Sequence, residues 1–228
     1  MKALALILTV AVAVLVNIPK CNNETITDLG PDTSYIANFS NFKSIDAKGI
    51  ASINYTQGKE FHLKVYGQKL CVDNLVLSVQ NGTLYISQKK SINANGWQRL
   101  NIDITAPDIE SIAIGGVGSF NCDGNFSVDH NIKIISEGVG NVTFNDVVCN
   151  DLEIRSEGVG SANIHNLAAN DVDIICSGVG GVTVNTNCHY VNINCSGVGG
   201  VTVSGSADNY SVSKSGVGGV NVNGLKKK

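Results

Sequence analysis

Apolar and polar residues alternate along most of this chain, and in its second half a glycine-rich triplet interrupts the alternation at regular intervals. The triplet Gly-Val-Gly occurs six times, beginning at Gly116, Gly138, Gly158, Gly178, Gly197 and Gly216. Successive copies start 22, 20, 20, 19 and 19 residues apart, and the nine residues CSGVGGVTV occur twice without change. A period of this length that persists over so many copies is typical of a solenoid.

The residues around each triplet predict strands and not helices. Apolar side chains stand two positions apart before the triplet, as at Ile132 and Ile134, and after it, as at Val142 and Phe144. Asn, Asp, Gly and Ser fill the intervals, as expected for turns. Because this period of two is that of a β-strand, the pattern predicts a parallel β-helix with two or three strands per coil. The usual crossover chirality makes it right-handed. The corner glycines are expected to permit φ values that other residues resist.

The first half of the chain lacks the triplet but also alternates. Six candidate strands are 42–47, 51–55, 61–66, 75–79, 83–87 and 100–105. Asn81-Gly82 between two of them predicts a tight hairpin. An uncovered solenoid end would expose a strand edge, so this half is expected to be either irregular early coils or a β-layer that caps the rod.

The first residues have a different character and predict export. Met1-Lys2 precedes a run of apolar or small residues, Ala3 to Val16, which is short for a membrane span and fits a signal peptide over residues 1–21. An uncleaved membrane anchor is the alternative. Cys21 follows this segment at the place of an acylated lipoprotein cysteine, although Lys20 before it is unusual. Cys21 is therefore the candidate for lipidation.

Charge and cysteine spacing argue against nucleic-acid binding and against a zinc site. The net charge of −3 gives no broad positive field for nucleic acid. The seven cysteines form no C-x-x-C pair and have no zinc-like spacing with the histidines. The odd total fits one cysteine that is lipidated or free. Cys176 and Cys195 hold the same position before successive corners, so they are predicted to be stacked neighbours, with a disulfide between them left open.

No catalytic constellation emerges from the sequence. Glu137 and Glu157 hold the same corner position one coil apart, but no Arg, Lys or His recurs beside them, so they are interpreted as solvated carboxylates. No histidine stands in a nucleophile motif, and the corners lack the Asp ladder of calcium-binding repeats. We therefore expect no enzyme activity, no cofactor and no metal site.

The remaining candidate is a surface, which we call the Thr/Asn face. Its first row holds the outward residues between the paired apolar positions after each corner, and its second row holds the next outward residues. The first row is Asn121, Thr143, Asn163, Thr183, Thr202 and Asn221, and the second row is Asp123, Asn145, His165, Asn185, Ser204 and Asn223. The rows predict a flat, nearly uncharged face for a glycan, a partner protein or ice. The alternative is that Thr and Asn merely suit exposed positions on stacked strands.

Several stretches together resemble a known family. FSNFKSIDAKGIASINYTQGKEFHLKVYG, NGTLYIS and LNIDITAPDIESIAIGGVGSF, followed by the glycine corners, resemble the putative auto-transporter adhesin, head GIN domain family. The usual corner of that family is Ser-Gly-Ser-Gly, where this chain has Ser-Gly-Val-Gly. The resemblance covers residues 38–223 and implies a single solenoid domain over 35–225, with the corner repeats between 111 and 223.

Members of that family are exported bacterial β-helix proteins, often lipoproteins. The resemblance implies a location in the periplasm, the outer membrane or the cell surface. The expected function is adhesin-like binding of an unknown glycan or surface protein without catalysis, with membrane contact only through the signal peptide or a lipid anchor. The oligomeric state is left open. The alternatives are a carbohydrate-active β-helix enzyme, namely a polysaccharide lyase or hydrolase, and an ice or crystal-surface binder.

Overall fold

The computed structural model describes residues 25–95 and 98–228 and confirms the all-β solenoid, which has about six turns. The predicted signal peptide and Cys21 lie outside these residues. The described strands are β1 Asp32–Ala37, β2 Ser44–Ala47, β3 Ile50–Gln57, β4 His62–Gln68, β5 Leu75–Gln80, β6 Thr83–Gln88, β7 Leu100–Ala106, β8 Ser111–Ile114, β9 Val117–Ser127, β10 Ile132–Ser136, β11 Val139–Val148, β12 Leu152–Ser156, β13 Ala162–Ala168, β14 Asp171–Cys176, β15 Val182–Cys195, β16 Val201–Lys214 and β17 Val220–Lys227. One short helix, α1, spans Lys69–Asn74.

Each coil of the solenoid has three sides. Side A precedes the glycine corner and stacks β6, β2, β8, β10, β12, β14 and the C-terminal parts of β15 and β16 in parallel. Side B follows the corner and stacks β7, β3, β9, β11, β13, the N-terminal parts of β15 and β16, and β17. Side C consists of the last residues of the long strands, which follow a register shift. In β11 these residues are Asp146 to Val148.

The core consists of ladders of inward side chains. Ile132, Leu152, Val172 and Val191 are successive register partners on side A, and each is at most 2% exposed. Towards the N-terminal end the ladders become aromatic, and the rings of Tyr55, Phe120, Phe126 and Phe144 lie 5.5 to 6.1 Å apart between centroids. Because every coil contributes only to ladders shared with its neighbours, most of the apolar burial occurs between coils.

The corner glycines have a different role from the predicted one. Of the twelve glycines in the triplets, only Gly118 has a positive φ, and its value of 156° is one that residues with a side chain rarely adopt. What requires glycine is the close approach of successive coils. A Cβ built on Gly140 would lie 1.7 Å from the carbonyl oxygen of Gly118, and one on Gly160 would lie 1.4 Å from that of Gly140. The φ explanation therefore applies to Gly118 alone, and backbone contact between coils explains the glycines of the corners as a set.

The N-terminal half combines the two predicted alternatives. β2 and β3 form an early coil whose corner at Gly49 lies directly against Gly116, and β6 and β7 form a further coil on its other side. Beyond this coil the sheet turns antiparallel, with β5 against β6 and with β4 and β1 extending from β7. The early coils and the capping β-layer therefore coexist.

The six strands predicted for this half are all present, with shifts of one or two residues at their ends. The Asn81-Gly82 hairpin is also confirmed, since Gln80 pairs with Thr83 and the two loop residues have φ values of 50° and 74°. The sequence did not predict α1, whose Cys71 and Val72 pack into the core of the cap. Among the described residues no helix combines the length and the apolar character that a membrane crossing requires.

Candidate binding surfaces

The first row of the Thr/Asn face is continuous. Asn121 pairs with Thr143, and each member then pairs with the next up to Asn221, so six outward side chains stand in strict register on side B. The last three members, Thr183, Thr202 and Asn221, are exposed, and the first three are half-buried. The row extends over about 24 Å, because successive parallel strands lie about 4.8 Å apart.

The second row is broken in the middle of the rod. His165 Nδ1 donates to Asn145 Oδ1 over 3.0 Å, and Ser204 Oγ donates to Asn185 Oδ1 over 3.4 Å. Between these pairs, however, the register shifts after Ile164, and Asn185 Nδ2 donates instead to Oδ1 of Asn166. The interval between successive triplets shortens here from 20 to 19 residues. The later coil has one residue fewer than the earlier one in the bend between sides B and C.

A second break occurs in the last coil. Ser204 pairs with Gly224 instead of Asn223, because the register shifts again between Thr202 and Ser204. The structure therefore brings together the whole first row and only segments of the second.

The corner itself carries an apolar surface that the sequence interpretation missed, and we call it the Val ridge. It consists of the central residue of each triplet, with exposures of 49% at Val117, 53% at Val139, 59% at Val159, 60% at Val179, 61% at Val198 and 85% at Val217. Since the two glycines of each triplet turn towards the neighbouring coil, the valine between them points to solvent. The sequence could have indicated this ridge, because in the triplet Gly-Val-Gly the valine must point to the opposite side from its two glycines.

The Val ridge and the Thr/Asn face are continuous. Val139, Asn141, Thr143 and Asn145 are alternate residues of β11, and alternate residues of a strand point to the same side. In the two rows of the Thr/Asn face and the ridge, Asp123 is the one residue with an acidic or basic side chain, apart from the imidazole of His165. Side B therefore presents a flat, nearly uncharged surface with an apolar border.

Side A is charged and forms a groove. The groove has a volume of about 540 Å³ and is lined by Glu110, Asn131, Ile132, Lys133, Asp151, Leu152, Glu153, Asp171, Val172, Asp173, Tyr190 and Asn192. Burial acts to raise the pKa of Glu153, but hydrogen bonds from Arg155 and Lys133 outweigh it and hold this pKa below its ordinary value. Asp173 accepts a hydrogen bond from Asn192 over 3.0 Å. Both carboxylates are thus engaged by neighbouring side chains.

The two repeated cysteines lie inside the rod. Cys176 and Cys195 are register partners, and both are fully buried as free thiols. Each thiol donates to the carbonyl oxygen four residues ahead, that of Gly180 or Gly199, over 3.5 Å. Burial and the neighbouring Cys195 raise the pKa of Cys176 to about 11. The thiols therefore act as small core side chains that bond to the corner backbone.

Comparison with known proteins agrees with this architecture. The family described as putative auto-transporter adhesin, head GIN domain, matches residues 41–165. This chain belongs to that family. The head GIN match spans the early coil and the first three glycine corners, and the later coils continue the same pattern beyond it. A search of curated proteins found no match.

Solved structures resemble this head GIN protein over most of its length. A putative adhesin from Bacteroides fragilis NCTC 9343 covers 86% of this chain and 99% of its own chain, with a TM-score of 0.71 and 28% sequence identity. A putative lipid binding protein from Parabacteroides distasonis ATCC 8503 covers the same 86% and 99%, with a TM-score of 0.51 and 20% identity. The second likeness concerns the fold alone.

Proposed function

We propose that this head GIN protein is an exported, adhesin-like binding protein without catalytic activity. Its contact surface is the Thr/Asn face together with the Val ridge. The observation that carries the proposal is the distribution of charge, because side B is nearly uncharged beside a side A that holds Lys133, Glu153, Arg155 and Asp173. Depletion of charged residues distinguishes the centre of a protein interface from the rest of a surface.

The dimensions of the surface indicate weak contacts of an extended kind. Its length is about 24 Å, and four alternating positions across a strand add a width of about 20 Å. The product is on the order of 500 Å², below the roughly 800 Å² per partner of a standard stable complex. A single copy should therefore bind weakly, and many copies on one cell surface would gain strength by avidity.

The chemistry of the surface favours a protein partner over a glycan. The Val ridge supplies apolar side chains for desolvation, and the hydroxyls and amides of the rows supply hydrogen bonds to a polar rim. Neither the rows nor the ridge contains a Trp, Tyr or Phe ring on which a sugar could stack. We therefore assign the partner to the class of exposed surface proteins.

Export follows from the N-terminal sequence within the same proposal. The apolar run Ala3 to Val16 would direct secretion, and Cys21 would carry the lipid anchor that retains the mature protein at the cell envelope. A tethered rod with a flat side would present that side to neighbouring molecules. Membrane contact would pass through the anchor, and the solenoid would stay free for binding.

The two alternatives have less support in the geometry. A carbohydrate-active enzyme would need a pair of free carboxylates in the groove on side A. In the described part of the chain, four of the five carboxylates there accept hydrogen bonds: Glu110 from Lys43, Asp151 from the backbone of Asp171, Glu153 from Arg155 and Asp173 from Asn192. An ice binder would use both rows of the Thr/Asn face as one regular lattice, but the second row is interrupted after His165. Assays for released reducing ends and for thermal hysteresis address these alternatives directly.

The proposal is tested by an array of bacterial and host surface proteins with a paired set of variants. Thr183→Lys with Thr202→Lys places two charges on the exposed part of the first row, one coil apart. Asn194→Lys with Ser213→Lys is the matched control, because these exposed register partners lie one coil apart on side A. Binding lost in the first double variant and kept in the second supports the proposal. Equal binding of both variants, or binding to glycans alone, would contradict it.

A further inference from the structure

Three side chains of the kind that bind metal ions meet at the N-terminal end of the rod. Asp108 and Glu110 come from the loop between β7 and β8, and His130 comes from the turn before β10. One donor atom from each lies within 4.8 Å of the other two. We propose that Asp108, Glu110 and His130 form a binding site for a divalent transition-metal ion such as Zn²⁺.

The orientation of His130 suits a ligand. Its Nδ1 donates to the backbone oxygen of Asn131 over 3.0 Å, and its Nε2 points at Asp108 Oδ1, 2.6 Å away. A hydrogen bond from one ring nitrogen to a carbonyl is the usual arrangement that orients a metal-binding histidine and directs its other nitrogen at the ion. One imidazole nitrogen and two carboxylate oxygens match the ligand preferences of Zn²⁺, whereas Ca²⁺ prefers oxygen ligands alone.

A cationic group already lies between two of the three ligands. Lys43 Nζ lies 2.8 Å from Glu110 Oε1 and 3.2 Å from Asp108 Oδ2. The two carboxylates thus converge on one positive charge from different backbone positions. The Lys43 side chain is 57% exposed, so it can turn into solvent when a metal ion takes its place. Metal and Lys43 are therefore competitors for the same pair of carboxylates.

The site also leaves room for a further ligand. Asp108 and Glu110 line a groove of about 510 Å³ that includes Phe42 and Phe61. The two phenyl rings pack with centroids 5.0 Å apart. A tetrahedral ion held by three protein ligands keeps a fourth position for water or an external donor. That fourth position would face the groove, so the proposed site is open and not purely structural.

The test measures Zn²⁺ binding to the full chain by calorimetry, with Co²⁺ absorption as a second probe of coordination. The wild-type chain should bind one Zn²⁺ ion, and His130→Ala and Asp108→Asn should each weaken binding at least about tenfold. Lys43→Met keeps all three ligands and removes the competitor, so it should strengthen binding by roughly three- to tenfold. His189→Ala is the matched control, because His189 also lies 3.0 Å from an aspartate, Asp208, but within residues 25–95 and 98–228 no third ligand joins this pair.

The outcomes decide the proposal. Tighter binding by the Lys43 variant, weaker binding by the two ligand variants and unchanged binding by the His189 variant would support it. If a ligand variant unfolds, as judged by circular dichroism, the Lys43 variant alone still gives a decision. No Zn²⁺ binding by the wild-type chain at millimolar metal, or affinity that Lys43→Met does not raise, would overturn the proposal.

Discussion

Replacing Gly160 with alanine should destabilise the solenoid more than the same change at any other glycine of the triplets. A Cβ at this position would lie 1.4 Å from the carbonyl oxygen of Gly140, and ordinary contacts of this kind begin at 3.4 Å. To bring this contact from 1.4 Å to 3.4 Å, the two coils would have to move apart by about 2.0 Å at the corner.

That separation would break the hydrogen bonds that join neighbouring corners. Val159 donates to Gly138 over 2.9 Å, and Val142 donates to Ser161 over 2.8 Å, so a 2.0 Å displacement between these two coils moves both pairs beyond hydrogen-bond range. Two or three lost bonds at about 1 kcal/mol each, together with packing strain of about 1 to 3 kcal/mol, give a destabilisation of about 3 to 6 kcal/mol.

Urea unfolding monitored by circular dichroism measures this effect. Gly219→Ala is the matched control, because a Cβ there meets nothing within 4 Å. The control should be neutral or stabilised by up to about 1 kcal/mol through lower entropy of the unfolded chain. An unfolded or strongly destabilised Gly160 variant beside a folded Gly219 variant agrees with the account. Equal stability of the two variants would refute the close-approach explanation of the corners.

Three further predictions follow from the core and the corner. Ile154→Ala should lower the free energy of unfolding by about 2 to 5 kcal/mol in urea titration, because Ile154 is 0% exposed between the register partners Ile134 and Ile174. Cys176 and Cys195 should react with a thiol reagent at neutral pH only after unfolding, since both are buried and the pKa of Cys176 is raised to about 11; fast reaction in the native state would contradict this placement. Replacing Glu137 and Glu157 together with Gln should leave the melting temperature and binding unchanged, because both side chains are exposed, and a selective loss of binding would reveal a site at the corner.

Local features of the fold could be predicted because each depends on neighbouring residues. The strands on both sides of the corners follow from alternation, as at Ile132 and Ile134, and the hairpin follows from Asn81-Gly82. The register of Cys176 with Cys195 follows from the repeat itself. In these cases the sequence signal lies within one coil or is repeated at the same position of the next coil.

Features that depend on distant segments could not be predicted in this way. The coil of β2 and β3 lies between those of β6–β7 and β8–β9, although it precedes both in the chain. The cluster of Asp108, Glu110 and His130 joins two segments, and Lys43 comes from a third. The helix α1 is too short for its period to emerge from six residues. These arrangements are decided by tertiary packing.

The central claim is that side B is the binding surface, and substitution on the Val ridge tests it most directly. Val179→Ser with Val198→Ser removes two exposed apolar side chains at the corner without changing a glycine. Val76→Ser with Val148→Ser is the control, because these valines are 37% and 49% exposed elsewhere. The measurement is adhesion under flow of beads coated with each chain to cells or surface proteins that bind the wild type. The account predicts a clear loss of adhesion for the ridge variant alone, with unchanged melting temperature, and equal adhesion of the two variants would contradict it.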